Sequence, residues 1–105
     1  MSNIYNSIQR VLIIGLGSIG RRHIGIIKEL LPEIKIIALS HKPVNLKDIN
    51  YLGLYDCVDT IEKALALNPE AAIIANPSTM RINIAKLLAS AGIHLLIEKP
   101  ISANS

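Results

Sequence analysis

Apolar residues in this chain fall into short aliphatic runs, separated by stretches in which they recur every three or four positions. The runs are Arg10–Ile14, Lys35–Ser40, Leu54–Val58, Ala71–Ala75 and Ile93–Ile97. They are rich in Ile, Leu, Val and Ala and barely alternate with polar residues, the pattern of strands buried on both faces. Between the first two, Ser18–Leu31 reads as a helix. Ile19, His23, Ile26, Ile27 and Leu30 share one face there, with Arg21, Arg22, Lys28 and Glu29 opposite and Pro32 as the stop. Leu46–Leu52 predicts a short helix before Gly53. Asp59-Thr60-Ile61-Glu62 reads as a capping box, with Asp59 as N-cap, opening a helix that runs to Leu67. Ser78 caps a last helix with an apolar stripe of Met80, Ile84, Leu87, Leu88 and Ala91, closed by Gly92.

Strands that alternate with helices predict right-handed crossovers and a parallel sheet. The expected fold is α/β with a parallel sheet of about five strands; of the doubly wound Rossmann type, it would have the order 3-2-1-4-5. No linker, repeat or low-complexity tract divides residues 1–105, so one domain is expected. Hydrophobic residues make up 50% of the chain, and its only aromatic residues are Tyr, so aliphatic side chains must fill the core. The net charge of +3 is scattered. It offers neither a basic arm for nucleic acid nor a basic amphipathic helix for a membrane surface, and it mildly favours a phosphorylated ligand. Cys57 is the sole cysteine, which excludes an internal disulfide and fits a reducing cytoplasm. Beside Val58 it reads as buried filler. Met1–Gln9 lacks an apolar signal core, and no apolar run is long enough to span a bilayer.

The chemistry concentrates in VLIIGLGSIGRRH, Val11 to His23. Gly15, Gly17 and Gly20 form G-x-G-x-x-G between a buried strand and a helix, the context in which this pattern binds a dinucleotide. Gly15 permits a tight turn, Gly17 lets a pyrophosphate approach the backbone, and Gly20 lets helix and strand pack closely. The helix-terminal N–H groups, at Ser18 and Ile19 among others, face the phosphates. Arg21 and Arg22 follow at once, where positive charge opposes the helix dipole. Either they meet a bound anion or they are solvated, and Arg22 is placed with the cofactor-binding set. His23 reads as a core histidine.

An acidic residue is expected about 20 positions beyond the glycines to hold a ribose diol. Here the segment reads Ala38-Leu39-Ser40-His41-Lys42, without a carboxylate. Ser40, His41 and Lys42 suit a 2′-phosphate, favouring NADP over NAD; a plain polar loop is the other reading. Asn76-Pro77 and Glu98-Lys99-Pro100 follow the fourth and fifth strands and would border the same crevice. Lys99 beside a cationic nicotinamide would have a lowered pKa and could polarise a substrate hydroxyl.

VLIIGLGSIGRRH, AAIIANPS and HLLIEKPIS together resemble the N-terminal Rossmann domain of the glucose-fructose oxidoreductase / inositol dehydrogenase / MocA family. The resemblance covers nearly the whole chain, and E-K-P is its more specific marker. It implies NAD(P)-dependent hydride transfer at a sugar, sugar-nucleotide or polyol carbinol. It maps Gly15, Gly17 and Gly20 onto the pyrophosphate loop, and Ser40 to Lys42 onto the adenine-ribose discriminator. Asn76 and Pro77 map onto the ribose–nicotinamide edge, and Glu98 and Lys99 onto the catalytic pocket. The Lys99–Pro100 bond is left open between cis and trans.

Family members continue past E-K-P into a helix, a sixth strand and a substrate domain. The chain is therefore expected to be a truncated cofactor-binding part, not active alone. Its fifth strand would form an open edge where copies could associate as a homo-oligomer. Two other functions compete: a stand-alone nucleotide-binding regulatory module, and a methyltransferase domain that binds S-adenosylmethionine. Neither gives E-K-P a task, and no metal site is expected.

Overall fold

A computed structural model of the chain describes residues 8–40, 44–75 and 79–97. The strands are β1 (Arg10–Ile14), β2 (Lys35–Leu39), β3 (Asp56–Val58), β4 (Ala71–Ile74) and β5 (His94–Ile97). The helices are α1 (Ser18–Leu30), α2 (Leu46–Leu52), α3 (Ile61–Ala66) and α4 (Thr79–Ser90). All strands pair in parallel, as the alternation predicts, and in the expected doubly wound order β3-β2-β1-β4-β5. The central strand carries the most aliphatic run: Leu12, Ile13 and Ile14 are wholly buried. Burying each such side chain contributes roughly 1.5–3 kcal/mol.

Alternate residues of that strand feed opposite layers. Val11 and Ile13 pack with Ile24, Ile36, Ala38 and Leu54 beneath α1 and α2. Leu12 and Ile14 pack with Ile37, Leu39, Ala64, Ile74 and Leu88 beneath α3 and α4. Both faces are thus apolar, which explains strands without polar alternation. At the lower end of the sheet, one Glu70 carboxylate oxygen accepts the N–H groups of Gln9 and Arg10, each at 2.9 Å. Arg10 in turn donates Nη1 to the Leu67 carbonyl at 3.1 Å. The N–H groups of Gln9, just before β1, and of Arg10, its first residue, are thereby tied to Glu70, the residue before β4.

The structure corrects several local expectations. In α1, Gly20 and Ile24 are buried and the partly buried Ile27 packs against the same core, whereas Ile26 and Leu30 are 46% and 73% exposed. His23 is only half-buried. The periodic stripe gives glycine no weight, yet Gly20 packs directly against the Gly15 backbone just past β1. Its contact rotates Ile24, one turn on, inward. In α4 the inward residues are Ile84, Ala85 and Leu88, while Leu87 is 44% exposed.

The N-cap of α3 is Thr60, not Asp59: its extended backbone lets Oγ1 accept the Lys63 N–H at 3.2 Å. Asp59 instead meets Lys63 Nζ at 2.9 Å. β3 begins at Asp56: the Leu54 N–H still donates to the Ile49 carbonyl of α2, and Tyr55 makes the first contact with β2, its N–H on the Ile36 carbonyl at 2.8 Å. Cys57 is half-buried rather than core filler. Burial, followed by the neighbouring Asp56 and Asp59 carboxylates, raises its thiol pKa. Gly53 and Gly92 close α2 and α4 in the left-handed region, with φ of 69° and 78°. β5 is one edge of the sheet, and its Leu96 is 54% exposed.

Candidate dinucleotide site

β1 lies between β2 and β4, so successive connections leave it in opposite directions at its C-terminal end. Open parallel sheets bind ligands at such a switch point. The glycine loop sits there. Gly15 has φ +102°, which an L side chain rarely adopts, and its N–H continues the ladder to the Leu39 carbonyl at 3.2 Å. Gly17 is the N-cap of α1, and no side chain caps the helix there. The first turn of α1 carries no acidic residue. The Ser18, Ile19 and Gly20 N–H groups precede the first helical bond, Arg21 N–H to Gly17 O at 2.9 Å, and so have no partner within the helix.

The glycines differ in what surrounds them. A Cβ built on Gly17 would meet nothing within 4 Å. One on Gly20 would collide with the Gly15 carbonyl oxygen and stand 3.6 Å from Ala75 Cβ. The bend is therefore open on its outer side and closed against the sheet, a geometry that admits a diphosphate to the backbone.

The two arginines diverge. Arg21 donates Nε to the Leu16 carbonyl at 3.0 Å and places Nη2 4.0 Å from Asp48 of α2. Arg22 is exposed and pairs with no described residue. Ser40 follows β2 directly, its N–H donating to the Val58 carbonyl at 3.0 Å. Its side chain helps line a hollow of ≈450 Å³ with Val44, Asp56, Cys57, Asp59 and Lys63. Sequence reasoning missed the Asp56, Asp59 and Lys63 side of this hollow, because β3 reaches Ser40 only through the sheet. His41, Lys42, Asn76, Pro77, Glu98 and Lys99 lie outside the described residues.

Another hollow, ≈550 Å³, lies at the opposite strand ends between Leu65–Glu70 and Ala91–His94. Glu70 there already serves the Gln9 and Arg10 N–H groups. No group of His, Cys, Asp and Glu among the described residues could hold a metal ion. No described helix is long and apolar enough to cross a membrane.

A parallel sheet wound in both directions, with a glycine loop open at the switch point, defines a dinucleotide-binding α/β domain. The chain belongs to the GFO/IDH/MocA oxidoreductase family, with its NAD-binding Rossmann fold, matching it over residues 9–105. Among solved structures it resembles scyllo-inositol dehydrogenase from Lactobacillus casei with bound NAD(H) and scyllo-inositol. That match has 25% identity and a TM-score of 0.76, over 91% of this chain and 29% of that one. It is similar to the WlbA dehydrogenase of Bordetella pertussis in complex with NADH and UDP-GlcNAcA, at 25% identity and TM-score 0.71, over 89% of this chain and 30% of that one. Myo-inositol 2-dehydrogenase from Lactobacillus plantarum shares the fold at 24% identity and TM-score 0.75, over 93% of this chain and 30% of that one. The chain thus spans under a third of the length of each of these dehydrogenases. No curated protein matches it.

Proposed function

We propose that this chain binds a nicotinamide dinucleotide across the C-terminal ends of its strands. It would serve as the cofactor half of a dehydrogenase acting at a sugar, sugar-nucleotide or polyol carbinol. The observation that carries this reading is the bend at Gly15–Gly20, closed against the sheet by Gly20 and open at Gly17. In this reading Gly15, Gly17, Ser18, Ile19 and Gly20 surround the pyrophosphate, and the exposed Arg22 adds positive charge. Asn76 and Pro77 face the nicotinamide ribose, and Glu98 and Lys99 border the reacting carbon. The bound cofactor accepts or donates the hydride; Lys99 orients and polarises the substrate hydroxyl. The NAD(H), NADH, scyllo-inositol and UDP-GlcNAcA bound in the similar dehydrogenases support these ligand classes. A reducing cytoplasm, where Cys57 stays a thiol, suits the reading, as does pairing of copies along the β5 edge.

For the adenosine end we propose NADP, on the absence of a carboxylate from Ala38 to Lys42 and the presence of Ser40, His41 and Lys42. One observation favours NAD instead: Asp56 and Asp59 line the same hollow as Ser40 and would repel a 2′-phosphate. Calorimetric titration with NADPH, NADH and S-adenosylmethionine separates these readings. Tighter NADPH supports the 2′-phosphate site, and tighter NADH refutes it. Preferential S-adenosylmethionine binding overturns the dehydrogenase reading altogether.

A further inference from the structure

Arg21 stands beside the bend that would hold a diphosphate, yet its guanidinium is turned toward protein. Nε reaches the Leu16 carbonyl at 3.0 Å, and Nη2 lies 4.0 Å from Asp48 Oδ2. Leu16 sits between two glycines, Gly15 and Gly17. Such flanks leave the Leu16–Gly17 peptide plane free to adopt other orientations, because glycine accepts most backbone angles. A trans peptide points its C=O and N–H in opposite directions. Holding the Leu16 oxygen toward Arg21 therefore points the Gly17 N–H the opposite way, away from Arg21.

Asp48 is itself anchored. Its N–H donates to the Asn45 side chain at 2.8 Å, in the cap of α2. The helix α2 follows the Ser40–Lys42 segment, so the same contacts join the glycine loop to the element after the ribose-discriminating segment.

We propose that Arg21 is a positioning residue that, with Asp48, sets the Leu16–Gly17 peptide in its ligand-ready orientation before a dinucleotide arrives, and that it does not ligate the phosphates. This inference rests on the dinucleotide reading above. It differs from a simple electrostatic role in sign as well as size. Were Arg21 only an attractive charge, removing its acidic partner would strengthen anion binding. In a positioning role, removing Asp48 releases the guanidinium and weakens binding.

The test uses the 105-residue chain and its R21K, R21Q and D48N variants, with melting curves and calorimetry against NADH and NADPH. All three variants should weaken both dinucleotides by a similar factor, roughly three- to tenfold. Lysine should not rescue, since it keeps the charge but has no Nε–H and no planar fork. The loss should persist at high salt, which would screen a long-range attraction. Near-normal binding by R21K alongside weak R21Q, or tighter binding by D48N, would show a charge acting on phosphate and overturn the proposal. Unchanged affinities in all three, with or without lower melting temperatures, would reduce the contacts to surface structure and also overturn it. A folded wild-type chain that binds neither dinucleotide refutes the functional reading beneath it, an outcome distinct from wild-type binding that the variants merely share.

Discussion

Gly17 and Gly20 have different surroundings, so alanine at each should separate binding from folding. Gly17 has φ −73° and ψ −170°, extended backbone open to any residue. Its added methyl would meet no atom within 4 Å. Alanine is a poorer N-cap than glycine by roughly 0.5–1 kcal/mol. It also restricts the unfolded chain, which returns about 0.4–1 kcal/mol. These terms offset, so the Gly17→Ala melting temperature should stay within about 4 °C of wild type. The methyl nevertheless occupies the space a diphosphate would need, and dinucleotide affinity should fall at least about tenfold, or ~1.4 kcal/mol.

Gly20→Ala meets backbone instead. Its methyl collides with the Gly15 carbonyl oxygen and would sit 3.1 Å from the carbonyl carbon. The helix-propensity gain of about 1 kcal/mol cannot offset overpacking of roughly 1–3 kcal/mol plus the displacement of α1. The melting temperature should fall by roughly 5–10 °C, measured by circular dichroism beside calorimetric titration with NADH and NADPH. Gly17→Ala with native stability and undiminished affinity would refute the cradle. Gly20→Ala more stable than wild type would refute the close packing that orients α1.

Other outcomes follow from the packing. Ile24→Ala should cost about 2–5 kcal/mol in urea denaturation, while Leu30→Ala, 73% exposed, should stay within roughly 0.5 kcal/mol; equal losses would restore the helix face that simple periodicity suggests. Glu70→Ala leaves the Gln9 and Arg10 N–H groups without their shared acceptor and should destabilise by about 1–2 kcal/mol with no change in dinucleotide affinity once corrected for the folded fraction. Cys57 has a raised thiol pKa, so its protonated form suits the fold. The associated stability is complete below the unfolded value near 9.0 and declines as pH rises through the folded value. Melting from pH 7 to 10 should therefore fall less steeply in Cys57→Ser, and alkylation near pH 8 should be slower than for a free thiol.

The sheet was legible because its three central strands, β2, β1 and β4, are buried on both sides and so appear as aliphatic runs whatever their neighbours. Right-handed crossovers then limit the topologies, and the order 3-2-1-4-5 comes from the Rossmann context of the glycine loop after the first strand. Helix orientation was less legible. A periodic stripe counts side chains, but α1 is turned by the absence of one: Gly20 against the Gly15 carbonyl brings Ile24 inward and leaves Leu30 out. The cap of α3 failed similarly, because Asp59 and Thr60 are both capping residues. Only the geometry shows Thr60 taking the Lys63 N–H while Asp59 takes its ammonium.

The candidate site divides along the same line. Its local part, the three glycines, could be read because the whole motif lies in one strand–turn–helix unit. Its non-local part could not. Asp48 reaches Arg21 across the α1–α2 packing, and Asp59 and Lys63 reach the hollow beside Ser40 through β3. These contacts set where charge lies around the proposed adenosine end, and there the sequence and the structure pull in opposite directions. The segment after β2 lacks a carboxylate, whereas the hollow holds two, Asp56 and Asp59, one of them paired with Lys63. A 2′-phosphate would have to outweigh Asp56, whose carboxylate accepts the Cys57 N–H, through His41 and Lys42. Asp56→Asn should therefore improve NADPH binding more than NADH binding, and an equal effect on both would place the 2′ position away from this hollow.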